Sequence, residues 1–416
     1  MPSIPPDGSF ELDLRMRHLE QLRNVEIPMD HYPETPWPSP PGAPTPYEQL
    51  VEWSMQAQSQ IQAAVANQVV SQGNINWDNE ILTLLESAAM SLRDTSKVFE
   101  AVLESRKQTE EGDERALQLL ADSQADIKKI AALWGLNFEV ICDLLKGTNM
   151  KDWKEIFVDL KSAMMMAIDK ILWGSPIHQG FYQTMFLEFP NLASAPLDYI
   201  KRMIDTFLQT YVVPSDVNIY LHVTGHSLGG AYATLCYAEF MRLYNNDPAV
   251  PLQREEGEES FFSQLKERQF LLQDLYTFGC PRLGGVMDQK DWAYQYGNAL
   301  QYHEGQSWRV VNEYDPVAAM PPIIPYITTW NHVDNGYQIS DQRNPQPLPS
   351  EVGTQPGTSI KPWNYPYHSP ASYFQNLYNA SVAGQSPSIS IGWIEEVPSE
   401  EKWSEMEALA EALLAK

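Results

Sequence analysis

Gly225-His226-Ser227-Leu228-Gly229 joins a β-branched run to an apolar helical one, and no other stretch so narrows what this chain can fold into. Val217 to Thr224 before it has strand composition, and Leu228 to Tyr244 after it has helix composition with small residues at its start. A strand that turns sharply into a helix holds one residue in a strained conformation. Glycine is therefore expected two positions to either side of that residue, where a Cβ would collide. The pattern reads as a nucleophile elbow with Ser227 at its tip. As a bare string the motif serves equally as a structural turn, and it is the flanking strand and helix that favour catalysis.

Composition sets the surroundings of that elbow. The 416 residues are 43% hydrophobic and 20% charged, enough apolar material for a large core without a stabilising cofactor. A formal net charge of −26 repels nucleic-acid phosphates and anionic surfaces, so nucleic-acid binding is excluded as a function class. The acidic run Glu255-Glu256-Gly257-Glu258-Glu259 reads as solvated loop. Three cysteines, Cys142, Cys236 and Cys280, each lie in an apolar segment and form no disulfide framework. With no basic-then-apolar leader visible at the N-terminus, a cytoplasmic location is expected, a secreted mature form staying open. No apolar run reaches the ~20 residues a membrane helix needs.

Residues 1–46 are proline-rich and read as an extended arm. Residues 47–135 change to Gln, Ala, Leu and Glu with helical spacing, as at Leu82, Leu84, Leu85, Ala88 and Leu92, with loops expected around 74–78 and 110–113. From Phe138 to Leu145, the expected first core strand, strand and helix patterns alternate to about Asn379. The other clear strands are Val217 to Thr224, Asp274 to Gly279 and Trp308 to Asn312, with Pro248 to Gln273 a charged insertion. Such alternation predicts an α/β fold whose central sheet is mostly parallel and flanked by helices. The core is thus expected over 136–378. A tail over 379–416 places Trp403, Met406, Leu409 and Leu413 on one face of an amphipathic helix.

A serine hydroxyl becomes a useful nucleophile only when a base within hydrogen-bond reach takes its proton and an acid fixes that base's tautomer. On sheets that carry such an elbow the chain order is nucleophile, acid, base. The acid candidates are Asp315, just past the strand Trp308 to Asn312, and Glu313; the base candidates are His332 and His368. One oxyanion donor is expected from the backbone N–H of Leu228, directly after the nucleophile at a helix N-terminus. His178, His222 and His226 read as packed or hydrogen-bonded residues around the elbow.

Several ordered motifs now carry a resemblance. Lys146-Gly147-Thr148, Asp152-Trp153 and Asp159-Leu160, then Ile177-His178-Gln179-Gly180-Phe181, Gly225 to Gly230, Tyr276 to Gly284 and Arg309 to Pro322 together resemble the class 3 lipases, fungal triacylglycerol lipases with an α/β-hydrolase fold. The resemblance runs from about Phe138 to Leu377. It implies that Asp315 is the acid, that His368, opening His368-Ser369-Pro370-Ala371-Ser372-Tyr373, is the base, and that His332 is non-catalytic. It also implies Thr148 as the second oxyanion donor, a lipid carboxylic ester as substrate, no cofactor or metal, and at most transient contact with a lipid interface. Lys146 and Cys280 stand where the family carries Arg and Gln, departures that bear on substrate choice rather than on the chemistry. Small, aryl and phospholipid esters stay open as substrates, and a catalytically silent interaction module is the reading from another class. Phe157 to Trp173, rich in methionine, reads either as an acyl-groove wall or as an ordinary amphipathic helix.

Overall fold

The computed structural model describes residues 15–23, 44–138, 164–187, 195–210, 218–244, 270–321, 330–348 and 367–382, less a few single positions within them. All of the strand expected at 138–145 except Phe138, together with Thr148, Cys142, the acidic run at 255–259 and the C-terminal amphipathic helix, lies outside the described residues.

From Pro46 onward, in chain order, the helices are α1 (Pro46–Gln56), α2 (Gln58–Ala66), α3 (Trp77–Ala89), α4 (Thr95–Ser105), α5 (Glu110–Asp122) and α6 (Ala125–Leu133). Their starts are locally encoded. Thr45 accepts from the Glu48 N–H while Glu48 reaches back to the Thr45 N–H, and Pro46 occupies the first turn of α1. Asn76 caps α3. The loop expected at 110–113 is instead the first turn of α5, capped by Thr109. Its clustered acids resemble loop composition, yet they complement the positive end of the helix.

The remainder comprises β1 (Met164–Met166), β2 (Pro176–His178), α7 (Gln179–Phe186), α8 (Pro196–Thr210), β3 (Ile219–His226), α9 (Leu228–Tyr244), β4 (Phe270–Phe278), β5 (Gly284–Met287), β6 (Lys290–Asp291), α10 (Trp292–Gln301), β7 (Ser307–Asn312), β8 (Trp330–Asn331), β9 (Asn335–Ile339), β10 (Gln346–Leu348) and α11 (Pro370–Ser381). Two sheets form. One has the order β10-β9-β7-β4-β3, with β3, β4, β7 and β9 paired in parallel and β10 antiparallel at the edge. The other joins β1, β2, β5, β6 and β8 through antiparallel pairings alone. A single mostly parallel sheet therefore does not describe the whole molecule.

Met164 to Met166 are not part of an amphipathic helix: they form β1, paired to β2. The connection between those strands takes left-handed backbone at Leu172, Trp173 and Gly174, with φ of 47°, 58° and 63°. The buried Glu239 carboxylate, itself paired with Arg242, accepts the Leu172 N–H at 2.9 Å and holds that turn. Helical spacing within one segment carries no information about such a partner strand.

β4 begins at Phe270, so the last residues of the expected insertion are strand. Its pairing with β3 slips between Leu221 and Val223, where the partners jump from Leu272 to Leu275. This bulge turns Leu272 and Leu275 toward one hydrophobic cluster, with Ala231, Leu235, Tyr237 and Met241 of α9. Tyr276 and Phe278 join a second cluster, with Leu50, Ile81, Leu82, Leu85, Ile127 and Ile130 from the N-terminal helices and Tyr373, Phe374 and Leu377 from α11. Residues on both sides of 135/136 thus share one core. Buried Asp274, in the bulge, joins them further by accepting from Ser71 N–H at 2.8 Å, Ser71 Oγ at 2.5 Å and Gln306 N–H at 2.7 Å.

Cys236 and Cys280 are buried, and burial raises Cys236 to a pKa of about 12, which suits an inert apolar filler. Among the described residues no helix is long and apolar enough to cross a membrane. No group of at least three His, Cys, Asp or Glu side chains among the described residues is placed to hold a metal.

Candidate active site

Ser227 sits between the last residue of β3 and the first of α9, with φ of 57°. Its N–H donates to Phe278 O at 2.9 Å, and its carbonyl accepts from Gly230 N–H at 2.9 Å. A left-handed serine fixed from both sides is a strained residue held by its surroundings, the arrangement expected of an elbow. The glycines divide differently from the expectation. A Cβ on Gly225 would lie 2.3 Å from the Gly229 carbonyl oxygen, whereas one on Gly229 would meet nothing within 4 Å. The second close approach belongs to Gly230, whose Cβ would lie 3.1 Å from Cys280 Cβ.

His368 Nε2 stands 2.8 Å from Ser227 Oγ. On its other side Nδ1 faces both oxygens of Asp315, at 3.0 and 2.9 Å. Ser227, Asp315 and His368 are 6%, 3% and 0% exposed, so these bonds compete little with water. With Nδ1–H directed at the carboxylate, Nε2 is left as the acceptor for the serine proton.

Asp315 reaches this position from a turn that follows β7. Tyr314 before it has φ of 72°, and the Asp315 N–H donates to Asn312 O at 3.1 Å. The carboxylate accepts two further bonds, from Val317 N–H at 2.8 Å and from the Tyr373 hydroxyl at 2.6 Å. Burial, and then the adjacent carboxylate, push the Tyr373 phenol well above its ordinary pKa, so it remains a donor. The Tyr373 oxygen in turn accepts the Asn312 N–H at 3.0 Å. Asn312 also donates through Nδ2 to Tyr367 O at 2.7 Å, tying the turn that bears Asp315 to the loop that bears His368.

Gly279, Asn312 and Tyr373 were legible in sequence only as motif letters without roles. A Cβ on Gly279, at φ of 59°, would lie 2.7 Å from Asp315 Oδ2 and 2.9 Å from His368 Nδ1. Its missing side chain is the space that the His-Asp pair fills. A glycine ending an apolar strand was the available signal, and its meaning required knowing what lay opposite.

The competing candidates go elsewhere. Glu313 pairs with Arg343. His332 donates through Nε2 to Ala318 O at 2.7 Å, and burial followed by the neighbouring charges of Arg309 and Arg282 holds its pKa well below the ordinary value. His178 caps α7 and stacks on Phe181. His222 meets Glu86 at 2.8 Å. Leu228 is the first residue of α9, where backbone N–H groups have no partner within the helix. A polar cleft of about 640 Å³, lined by Asn67, Asn74, Asn76, Trp77 and Ser381 among others, lies at the opposite end of α11 from His368.

Residues 144–324 match the family described as Lipase (class 3), whose fold is that of the α/β-hydrolases and whose role is lipid ester hydrolysis. The matched segment contains Ser227 and Asp315 and ends before His368. No curated protein matches the chain.

Proposed function

We propose that this chain is a serine hydrolase of lipid carboxylic esters, with Ser227 as nucleophile, His368 as general base and acid, and Asp315 as the group that orients the imidazole. The observation that carries this reading is the hydrogen-bond chain from Ser227 Oγ through His368 to Asp315, with spacings of 2.8 and 2.9 Å, starting at a left-handed serine. The class 3 lipase match over 144–324 supports a lipid ester as the substrate class.

In the proposed reaction Ser227 Oγ attacks the ester carbonyl carbon as its proton passes to His368 Nε2. Asp315 stabilises the imidazolium through Nδ1–H without itself taking the proton. The tetrahedral intermediate collapses, the departing alkoxide takes the proton from Nε2, and an acyl ester on Ser227 remains. Water, deprotonated by His368, then releases the acid and restores the serine. The oxyanion is received by the Leu228 N–H at the positive end of α9 and, by resemblance alone, by Thr148; one such donor is worth about 3 kcal/mol in the barrier.

Hydrolysis of p-nitrophenyl esters from acetate to palmitate, by wild type and Ser227→Ala, with fluorophosphonate labelling alongside, tests the reading. Turnover and labelling that vanish in the variant are expected, and the optimum chain length separates a lipase from a small-ester esterase. Folded wild type that neither turns over nor labels sinks the proposal.

A further inference from the structure

His226 belongs to no part of the mechanism above, yet it meets His368 at both its ring and its backbone carbonyl. It is the last residue of β3 and the chain neighbour of Ser227. Its ring lies 4.7 Å from the His368 ring at 31°, and the Tyr373 ring meets it edge-on at 5.6 Å. Its Nε2 lies 2.8 Å from the His368 backbone carbonyl oxygen. A carbonyl only accepts, so the proton is on His226 Nε2.

These contacts close a circuit. Ser227 Oγ bonds the His368 ring, the His368 carbonyl bonds the His226 ring, and His226 joins Ser227 through one peptide bond. We infer that His226 is a positioning residue: its Nε2–H fixes the backbone of His368 and its ring walls the imidazole, so that the separation of nucleophile and base is set through a single short, largely covalent loop. The inference rests on the serine hydrolase reading proposed above.

The groups that face His226 are His368 and Asp315, with the Tyr373 phenol at its edge. Burial, and then the charge that would appear on His368, lower the pKa of His226 to about 3. The brace therefore stays neutral while the neighbouring imidazolium forms, and it places no second positive charge beside it. An active site held to a fraction of an ångström by such a contact loses turnover rather than binding when the contact is removed.

The test compares the full chain as wild type, His226→Phe, which keeps a ring but no donor, and His226→Gln, whose amide nitrogen reaches the position of Nε2. The kcat and KM for p-nitrophenyl butyrate over pH 5–9 are measured with the fluorophosphonate labelling rate and the melting temperature. His226→Phe is expected to lose about 10- to 100-fold in kcat and in labelling rate with KM nearly unchanged, and His226→Gln to recover to within about fivefold of wild type. Turnover of His226→Phe close to wild type, or a loss that Gln fails to recover, overturns the inference. If the Phe variant does not fold, His226→Asn replaces it; its shorter amide falls short of the carbonyl, and turnover equal to that of the Gln variant overturns the inference. Turnover surviving in Ser227→Ala overturns the parent reading and this one together, whereas an inactive Ser227→Ala beside an unimpaired His226→Phe overturns this one alone.

Discussion

At the scale of single residues, Gly279 and Tyr373 decide how well the acid and base are held. A methyl on Gly279 would have to displace Asp315 Oδ2 from 2.7 Å at a backbone φ of 59°. Gly279→Ala is expected to lower kcat at least about 100-fold, with a stability loss of about 1–3 kcal/mol from the left-handed backbone, read by esterase assay and urea unfolding. Tyr373→Phe removes a donor from a buried carboxylate and is expected to cost about 1.5–3 kcal/mol of stability and about tenfold in kcat. His332 bears on acid stability. Its folded pKa lies well below the ordinary value, so as pH falls below about 6.5 the unfolded chain takes up a proton that the folded chain refuses. Its contribution is complete above that pH and is lost on acidification, at up to ~1.4 kcal/mol per pH unit. Urea midpoints at pH 7 and pH 5 are expected to differ less in His332→Gln than in wild type. The same residues mark the limit of sequence reading. Ser227 announces itself by its neighbours, whereas the choice of His368 over His332, and of Asp315 over Glu313, rested on resemblance, because spacing along the chain says nothing of which side chains meet.

At the scale of elements, α3 shows why an N-terminal helix and a distant sheet form one core. Ile81, Leu82, Leu84 and Leu85 are fully buried, and so are Asn79, Glu80 and Thr83, since α3 lies between β3 and β4 on one side and α2 and α11 on others. Leu82→Ala is expected to destabilise by about 2–5 kcal/mol while the remaining folded protein keeps its kcat, measured by unfolding and by turnover normalised to folded fraction. We propose the sequence boundary at 135/136 as a boundary of pattern across which stability is shared. Removal of residues 1–135 would expose Tyr276, Phe278, Trp308 and Val310, and an insoluble or unfolded product is the expected result, read by solubility and circular dichroism. The helices themselves were legible, because capping residues and apolar spacing are local. The strand β1 was not: three methionines in a row favour a strand here only because β2 lies alongside.

For the whole molecule, a net charge of −26 spread over 416 residues is a source of self-repulsion in the compact state. Adding salt from about 10 to about 150 mM shortens the screening length from ~30 to ~8 Å, and a higher urea midpoint is expected at the higher concentration. The amino-acid sequence by itself determined the elbow, the elbow helix, three strands of the larger sheet and the N-terminal helices, because turn chemistry, caps and periodicity act between residues a few positions apart. Only the tertiary structure decided that His368 and Asp315 come together beside Ser227, which glycines make room for them, that the N-terminal helices cover one face of the sheet, and that His226 meets the His368 carbonyl. Those contacts join residues far apart along the chain, 142 positions in the bond from His226 to His368 and 203 in that from Ser71 to Asp274. Their energies depend on burial and on angles that exist only once the chain has closed on itself.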